Sequence, residues 1–167
     1  MPIKKQASAK SGLQFPRRFT REDVNVFDLF EYDYRTSIIR NPTGEVVFEM
    51  NNVEVPKTWS QIATDILAQK YFRKAGVPQP DGSLGRETSA KQVAHRMANC
   101  WRVWGERYGY FETEKDAQVF YEELVYSILD QMCVPNSRNG SIQVCMKAME
   151  SRANHKGIIM LTRLMVN

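Results

Sequence analysis

Side chains that commonly carry chemistry are few in this chain, and their spacing assembles no recognisable site. There are three cysteines, Cys100, Cys133 and Cys145, and two histidines, His95 and His155. The cysteine number is odd and no Cys-x-x-Cys occurs, so neither a disulfide framework nor a zinc knuckle is indicated. With two imidazoles in all, a structural metal site is not expected and no metal ligand is assigned. Cys100 falls beside an apolar helical stripe, where a buried inert thiol is expected rather than a nucleophile. His95 sits about a turn away on the more polar side, a position suited to the surface or the core edge. Trp101 and Trp104 could stack a base, but at helical spacing they read as core. Glu122 and Glu123 are adjacent, so they leave a helix on different faces and make no acid–base pair. No glycine-rich phosphate loop, nucleophile elbow or His-Glu-x-x-His is present. No catalytic residue is therefore assigned from the residues themselves.

The net charge is +4 and is unevenly placed. Lys4, Lys5, Lys10, Arg17, Arg18 and Arg21 all precede the first acid, Glu22. Such a run could touch phosphate, but it reads first as a solvated arm. Phe15 and Phe19 stand alone in it, without the aromatic interleaving of a nucleic-acid platform, so nucleic acid is not expected as a partner. The 167 residues suffice for one compact domain and a tail. Hydrophobic residues at 43% and charged residues at 25% allow a buried core and exclude global disorder. No stretch approaches the roughly 20 apolar residues of a membrane helix. Met1 to Ser11 lacks the apolar core of a secretory signal. A cytoplasmic location and no membrane partner are expected.

The elements that must position these side chains are mostly helical. Residues 1–14 read as a flexible basic arm. Residues 22–35 mix acids with Val24, Val26, Phe27, Leu29, Phe30 and Tyr34, compatible with a short helix or a packed extended segment. The β-prone runs before and after Asn41-Pro42-Thr43-Gly44 predict a hairpin over about residues 36–49. A helix follows Pro56, capped by Thr58 or Ser60, carrying Ile62, Ile66 and Leu67 to about Lys74. Gly76 and Pro78 stop it, and residues 77–87 read as a loop. Val93, Met97, Cys100 or Trp101, Trp104 and Tyr108 form the stripe of a helix at about 89–108. Thr113 with Asp116 three places on resembles a capping box. It opens a helix at about 114–133 with Ala117, Phe120, Leu124, Ile128 and Met132 on one side. The short link favours an antiparallel pair. The fold class is mainly α, a helical domain with one β-hairpin.

Four strings give a more specific reading. Phe15-Pro16-Arg17-Arg18-Phe19-Thr20 is followed by Val55-Pro56-Lys57-Thr58-Trp59-Ser60-Gln61 with Ala68-Gln69-Lys70-Tyr71-Phe72-Arg73. Then come Trp104-Gly105 with Gly109-Tyr110-Phe111, and finally Pro135-Asn136-Ser137. In this order they resemble the opening of the adenosylcobalamin (vitamin B12)-dependent class II ribonucleotide reductases, over about residues 14 to 137. The resemblance implies a helical N-terminal domain over 15–137 that precedes a ten-stranded α/β barrel, which is missing here. It implies reduction of ribonucleotides to deoxyribonucleotides for DNA synthesis by cysteine radical chemistry. Adenosylcobalamin would be the cofactor, and a ribonucleotide substrate and a dithiol reductant the partners. The cofactor carries such chemistry while the protein positions and shields it. The resemblance puts none of the radical or reducing cysteines in the matched region, so Cys100 and Cys133 inherit no role. Ser137 matches the family's serine at the substrate and is the single substrate-binding residue assigned; no cofactor-binding residue is.

After Ser137 the likeness stops, where the family continues with proline, a variable residue and Trp-Phe-Asn-Thr-Gly. A reading-frame shift accounts for this. Codons for Arg138 to Gly157, chosen as CGG AAT GGT TCA ATA CAG GTT TGC and onward and started one base earlier on a C, read Pro-Glu-Trp-Phe-Asn-Thr-Gly-Leu-His-Glu-Ser-Tyr-Gly. Residues 138–167 are thus expected to be an out-of-frame tail, with Ile158, Ile159, Met160, Leu161, Leu164, Met165 and Val166 an apolar hazard. The expected function is a fragment of the reductase, inactive by itself. The alternative is a free-standing helical binding module that docks on a nucleotide, a nucleic acid or a barrel from another chain.

Overall fold

The computed structural model describes residues 12–79 and 81–133. A short 3-10 helix, Val26–Leu29, leads into a hairpin of β1, Tyr32–Arg40, and β2, Val46–Pro56. Helix α1, Gln61–Ile66, continues as a π-helical turn, Leu67–Tyr71. A miniature antiparallel pair, β3 at Val77–Pro78 and β4 at Leu84–Gly85, precedes α2, Ala90–Arg107, and α3, Glu114–Leu129. Contacts of His95 with Tyr121 and of Arg102 with Gln118 run in opposite senses along the two long helices, which are therefore antiparallel. The mainly helical class with a hairpin is what the residues predict.

The hairpin is longer than the expected 36–49, and its turn explains why it forms where it does. Asn41 Oδ1 accepts from the Thr43 and Glu45 backbone N–H groups at 3.1 and 2.9 Å, and Gly44 takes the left-handed φ of 87° that the turn needs. Farther along, Arg35 pairs with Val53 but Ser37 pairs with Met50, so Thr36 opposes two residues, Asn51 and Asn52. Asn52 takes φ 57°. This bulge resets the alternation, so that Met50, Val53 and Val55 all face the core. The broken period hides residues 50–56 from pattern reading.

The helix expected to reach Lys74 stays α-helical only to Ile66. Ser60 caps it, accepting from Ala63 N–H at 3.1 Å. The wider π turn, closed by Phe72 N–H onto Leu67 C=O at 3.1 Å, brings Leu67, Ala68 and Phe72 inward together. Residues 77–87 are more than a loop. Gln79 N–H bonds Ser83 C=O at 2.9 Å, and Asp81 ties the Ser83 N–H and hydroxyl across the turn.

Ser89 with Gln92, and Thr113 with Asp116, form capping boxes that start α2 and α3. The buried side of α2 is Ala90, Val93, Ala94, Met97, Ala98 and Gly105. Trp101 packs at its edge, and Tyr108, expected on the stripe, is 49% exposed. In α3 the buried set is Ala117, Val119, Phe120, Tyr121, Val125, Ile128 and Leu129. Leu124 is half-buried against the core, and Met132 lies beyond the helix, exposed. The expected stripe members Val93 and Met97 on α2 and Ala117, Phe120 and Ile128 on α3 are buried, and both buried sides also take in alanines and valines. Helix α3 ends at Leu129 rather than near residue 133.

Gly105 meets the ring of Phe111, and a Cβ there would overlap it. Gly105→Ala is expected to displace Phe111 and destabilise the fold by about 1–3 kcal/mol, the usual cost of overpacking. Urea unfolding of the two proteins checks this; unchanged stability would mean that Phe111 has room to move.

Candidate functional site

Ser137, the substrate residue inferred from the resemblance, lies outside the described residues with Pro135 and Asn136, as do Cys145 and His155. The remaining candidates are not brought together into a reacting centre. Cys100 is half-buried on α2, where burial pushes its thiol pKa up despite Arg73 and Arg96. Cys133 packs at the core edge, and burial raises its pKa too. Neither is poised as a thiolate. His95 Nδ1 lies 2.7 Å from the Tyr121 hydroxyl. Burial, with help from Arg102, lowers its pKa below the ordinary imidazole value. Trp101 sits against the core rather than on a ligand surface.

Glu122 and Glu123 do leave α3 in different directions, and both are occupied by one segment, the strap of residues 12–21. Glu122 pairs with Arg17 and accepts from Gln118 at 2.6 Å. Glu123 gathers the backbone N–H groups of Arg18, Phe19 and Thr20 at 2.9–3.2 Å, and the Thr20 hydroxyl at 2.7 Å. Burial alone would raise the Glu123 pKa. The Thr20 hydroxyl and the three N–H groups outweigh it and hold the carboxyl below its ordinary range.

The rest of the strap follows the same face. Phe15 N–H bonds Asp116 at 2.9 Å, and its ring meets Phe120 and Phe111 edge-on at 5.1 and 5.8 Å. Leu13 N–H bonds Tyr110 C=O at 2.7 Å. Gly12 passes so close to the 111–112 backbone that a Cβ would overlap it. Phe19 stacks on Tyr126. Phe15 and Phe19 therefore do not stand alone, contrary to the sequence reading; their partners lie about a hundred residues away, where no local pattern reveals them.

The other strings also serve as joints. The Trp59 indole N–H donates to Leu129 C=O at 2.7 Å, tying the segment before α1 to the end of α3. Arg35 donates to Trp59 C=O at 2.5 Å and Lys57 C=O at 3.0 Å, pinning that segment to β1. Phe72 is buried, and Arg73 N–H bonds Glu87 at 2.9 Å. Glu87 in turn forms a buried ion pair with Arg96 at 2.8 Å. Tyr110 N–H closes onto Gly105 C=O at 2.8 Å.

Among the described residues no group of three His, Cys, Asp or Glu side chains is placed to hold a metal ion. A cleft of about 640 Å³ lies between the end of α2 and the start of α3, lined by Arg102, Phe111 and Gln118 and rimmed by Glu106, Glu112 and Glu114. It presents neither thiol nor imidazole.

What this arrangement defines is a scaffold whose distinctive residues hold elements together. Comparison with known families places it. Residues 33–131 match the family model described as class II vitamin B12-dependent ribonucleotide reductase, and the chain belongs to that family. It is 41% identical over 154 residues to the vitamin B12-dependent ribonucleotide reductase of Bradyrhizobium diazoefficiens, covering 75% of this chain and 12% of the relative. The reductase of the same description from Agrobacterium fabrum is 38% identical over 153 residues, again with 75% and 12% coverage. That of Streptomyces clavuligerus is 38% identical over 135 residues, covering 80% and 13%. The chain spans roughly an eighth of the length of these relatives. The family's description names vitamin B12. The described residues do not fit that group: His95 is engaged by Tyr121, and the cleft is walled by carboxylates.

Glu123→Gln is expected to lower stability by about 1–2 kcal/mol at neutral pH, by weakening hydrogen bonds to a charged acceptor. The sign with pH follows from the lowered pKa. The stabilisation from Glu123 is full above the unfolded value, near 4.5, and is lost as pH falls through the folded value. The stability gap between wild type and variant, measured by urea unfolding at pH 7 and at pH 4, should therefore shrink in acid. A constant gap would contradict the role given to Glu123.

Proposed function

We propose that residues 15–137 are the N-terminal domain of an adenosylcobalamin-dependent ribonucleotide reductase, a lead-in scaffold for the barrel where ribonucleotides are reduced to deoxyribonucleotides. A dithiol reductant would be the electron source in the complete enzyme, and the location cytoplasmic. The observation that carries this reading is the family match over residues 33–131, together with the use of three of the four family-like strings as structural joints. We further infer that the 167-residue chain does not itself reduce ribonucleotides. The half-buried positions of Cys100 and Cys133, neither of which matches a radical or reducing cysteine of the family, support this.

Incubation of the chain with adenosylcobalamin, a dithiol and ribonucleotides, followed by chromatographic product analysis, tests it. No deoxynucleotide above the blank is expected. Formation of product would overturn the inference.

Residues 138–167 are proposed as an out-of-frame tail, and sequencing the gene across the Ser137 codon tests that. An intact reading frame with no displaced continuation would refute it. In a frame-restored protein Ser137 is proposed to bond the substrate. Its replacement by alanine should lower kcat/KM by about 1–2 kcal/mol, the scale of one polar contact. Unchanged kcat/KM would remove that role.

A further inference from the structure

The cleft between the end of α2 and the start of α3 has an unbalanced charge. Its charged lining is Arg102, Glu106, Glu112 and Glu114. Arg102 faces Glu106 at 3.8 Å and donates to Gln118 at 2.8 Å. Glu112 and Glu114 are exposed, and among the described residues neither enters an ion pair. Glu112 accepts from the neutral side-chain amide of Gln14. Glu114 opens α3, where its charge also suits the helix dipole. The neighbouring cations stand outside the lining: Lys115 pairs with Glu22 at 2.8 Å, and Arg107 is exposed. Three carboxylates thus share one guanidinium.

The chain brings a counter-charge to this rim. Gly12 lies against the backbone of Phe111 and Glu112, and Leu13 pairs in parallel with Phe111. A parallel pairing points the preceding chain back toward Gly109, which lines the same cleft. Residues 1–11 lie outside the described residues. In sequence they hold Lys4, Lys5 and Lys10 and no acid. Lys10 is two positions from Gly12, within about 7 Å along the chain. The C-terminal residues are basic too, with Arg138, Lys147 and Arg152. They follow the far end of α3, whose 16 residues separate them from Glu114 by roughly 24 Å. The arm before Gly12 is the nearer source of cations.

We propose that this cleft is the docking site of the arm preceding Gly12, with its lysines paired to Glu106, Glu112 and Glu114 beside Phe111. A single exposed ion pair contributes little. The covalent link makes the contact intramolecular, with an effective concentration on the order of millimolar, so several weak pairs act together. The strap would thereby continue past Gly12 onto the end of α2.

Limited trypsin digestion of the full chain, with mass spectrometry of the released N-terminal peptides, tests the proposal. In the Glu112→Gln/Glu114→Gln double variant, cleavage after Lys4, Lys5 and Lys10 is expected to be about three- to tenfold faster, the scale of two exposed ion pairs. Replacing Lys4, Lys5 and Lys10 together by glutamine changes none of the described residues. It should shift the amide NMR signals of Gly109 and Glu114 while leaving those of β1 and β2 in place. Unchanged cleavage in a double variant that melts as wild type does would overturn the proposal, as would unmoved cleft signals in the lysine variant. Where the double variant melts early, the lysine variant decides alone. Cleft signals that move with protein concentration would identify the arm of a second copy as the occupant. Signals that move on truncation after Cys133, and not in the lysine variant, would identify the C-terminal residues. Either result overturns the proposal.

Discussion

A two-stranded hairpin cannot bury enough surface to persist alone, and this requirement governs the rest of the molecule. The inner face of β2 carries Met50, Val53 and Val55, and the latter two are fully buried. They share one core with Met97 of α2 and with Val125 and Leu129 of α3. Burying such a side chain contributes roughly 1.5–3 kcal/mol. The shared core forms only if hairpin and helix pair arrive together. That explains why the polar ties connect distant parts of the chain. The Trp59 indole reaches Leu129, Ser89 and Lys91 at the start of α2 reach Glu54 on β2, and the strap reaches α3.

The ties show how one side-chain type is put to different uses. Glu54 is partly buried, which by itself raises its pKa, yet Lys91 and Ser89 draw it down. Glu123 reaches the same end with backbone donors and a hydroxyl, with no cation in contact. Glu87 is almost wholly buried and depends on Arg96 and an Arg73 N–H. A buried carboxylate lacking such partners would be strongly unfavourable, so each is matched to several donors. Each carboxylate accepts a bond from another element, and none is left facing a cavity as a general acid or base.

How much of this was legible in the sequence depends on the range of the interaction. Local chemistry was readable: the Asn41–Gly44 turn, the Thr113–Asp116 box, the extent of α2 and the start of α3 follow from signals within a few residues. The full breadth of the buried stripes was less so. Periodicity marked large residues such as Tyr108 and Met132, whereas the structure buries Ala94, Ala98 and Gly105, because close approach of backbones favours small side chains. The bulge at Asn51–Asn52 and the π turn after Ile66 each add a residue to a regular period, so a strict pattern search loses the strand and the helix there. The strap was invisible, since a basic run with two phenylalanines looks solvated until Glu122, Glu123, Phe120 and Tyr126 are placed beneath it.

That same division explains why family membership was readable while chemistry was not. The residues that carry the likeness within the described part are Phe15, Arg17, Trp59, Phe72, Gly105 and Phe111, and each is fixed by a tertiary demand that few other side chains meet. Trp59 needs both an apolar body and an N–H donor for Leu129; Gly105 needs no Cβ because Phe111 occupies the space. Such requirements constrain residue identity without any catalytic role. They act where elements meet, not where a substrate lies. A segment rich in joints can therefore be distinctive in sequence while Cys100, Cys133 and His95 remain packing residues, as the raised thiol pKa values and the Tyr121-bound imidazole illustrate.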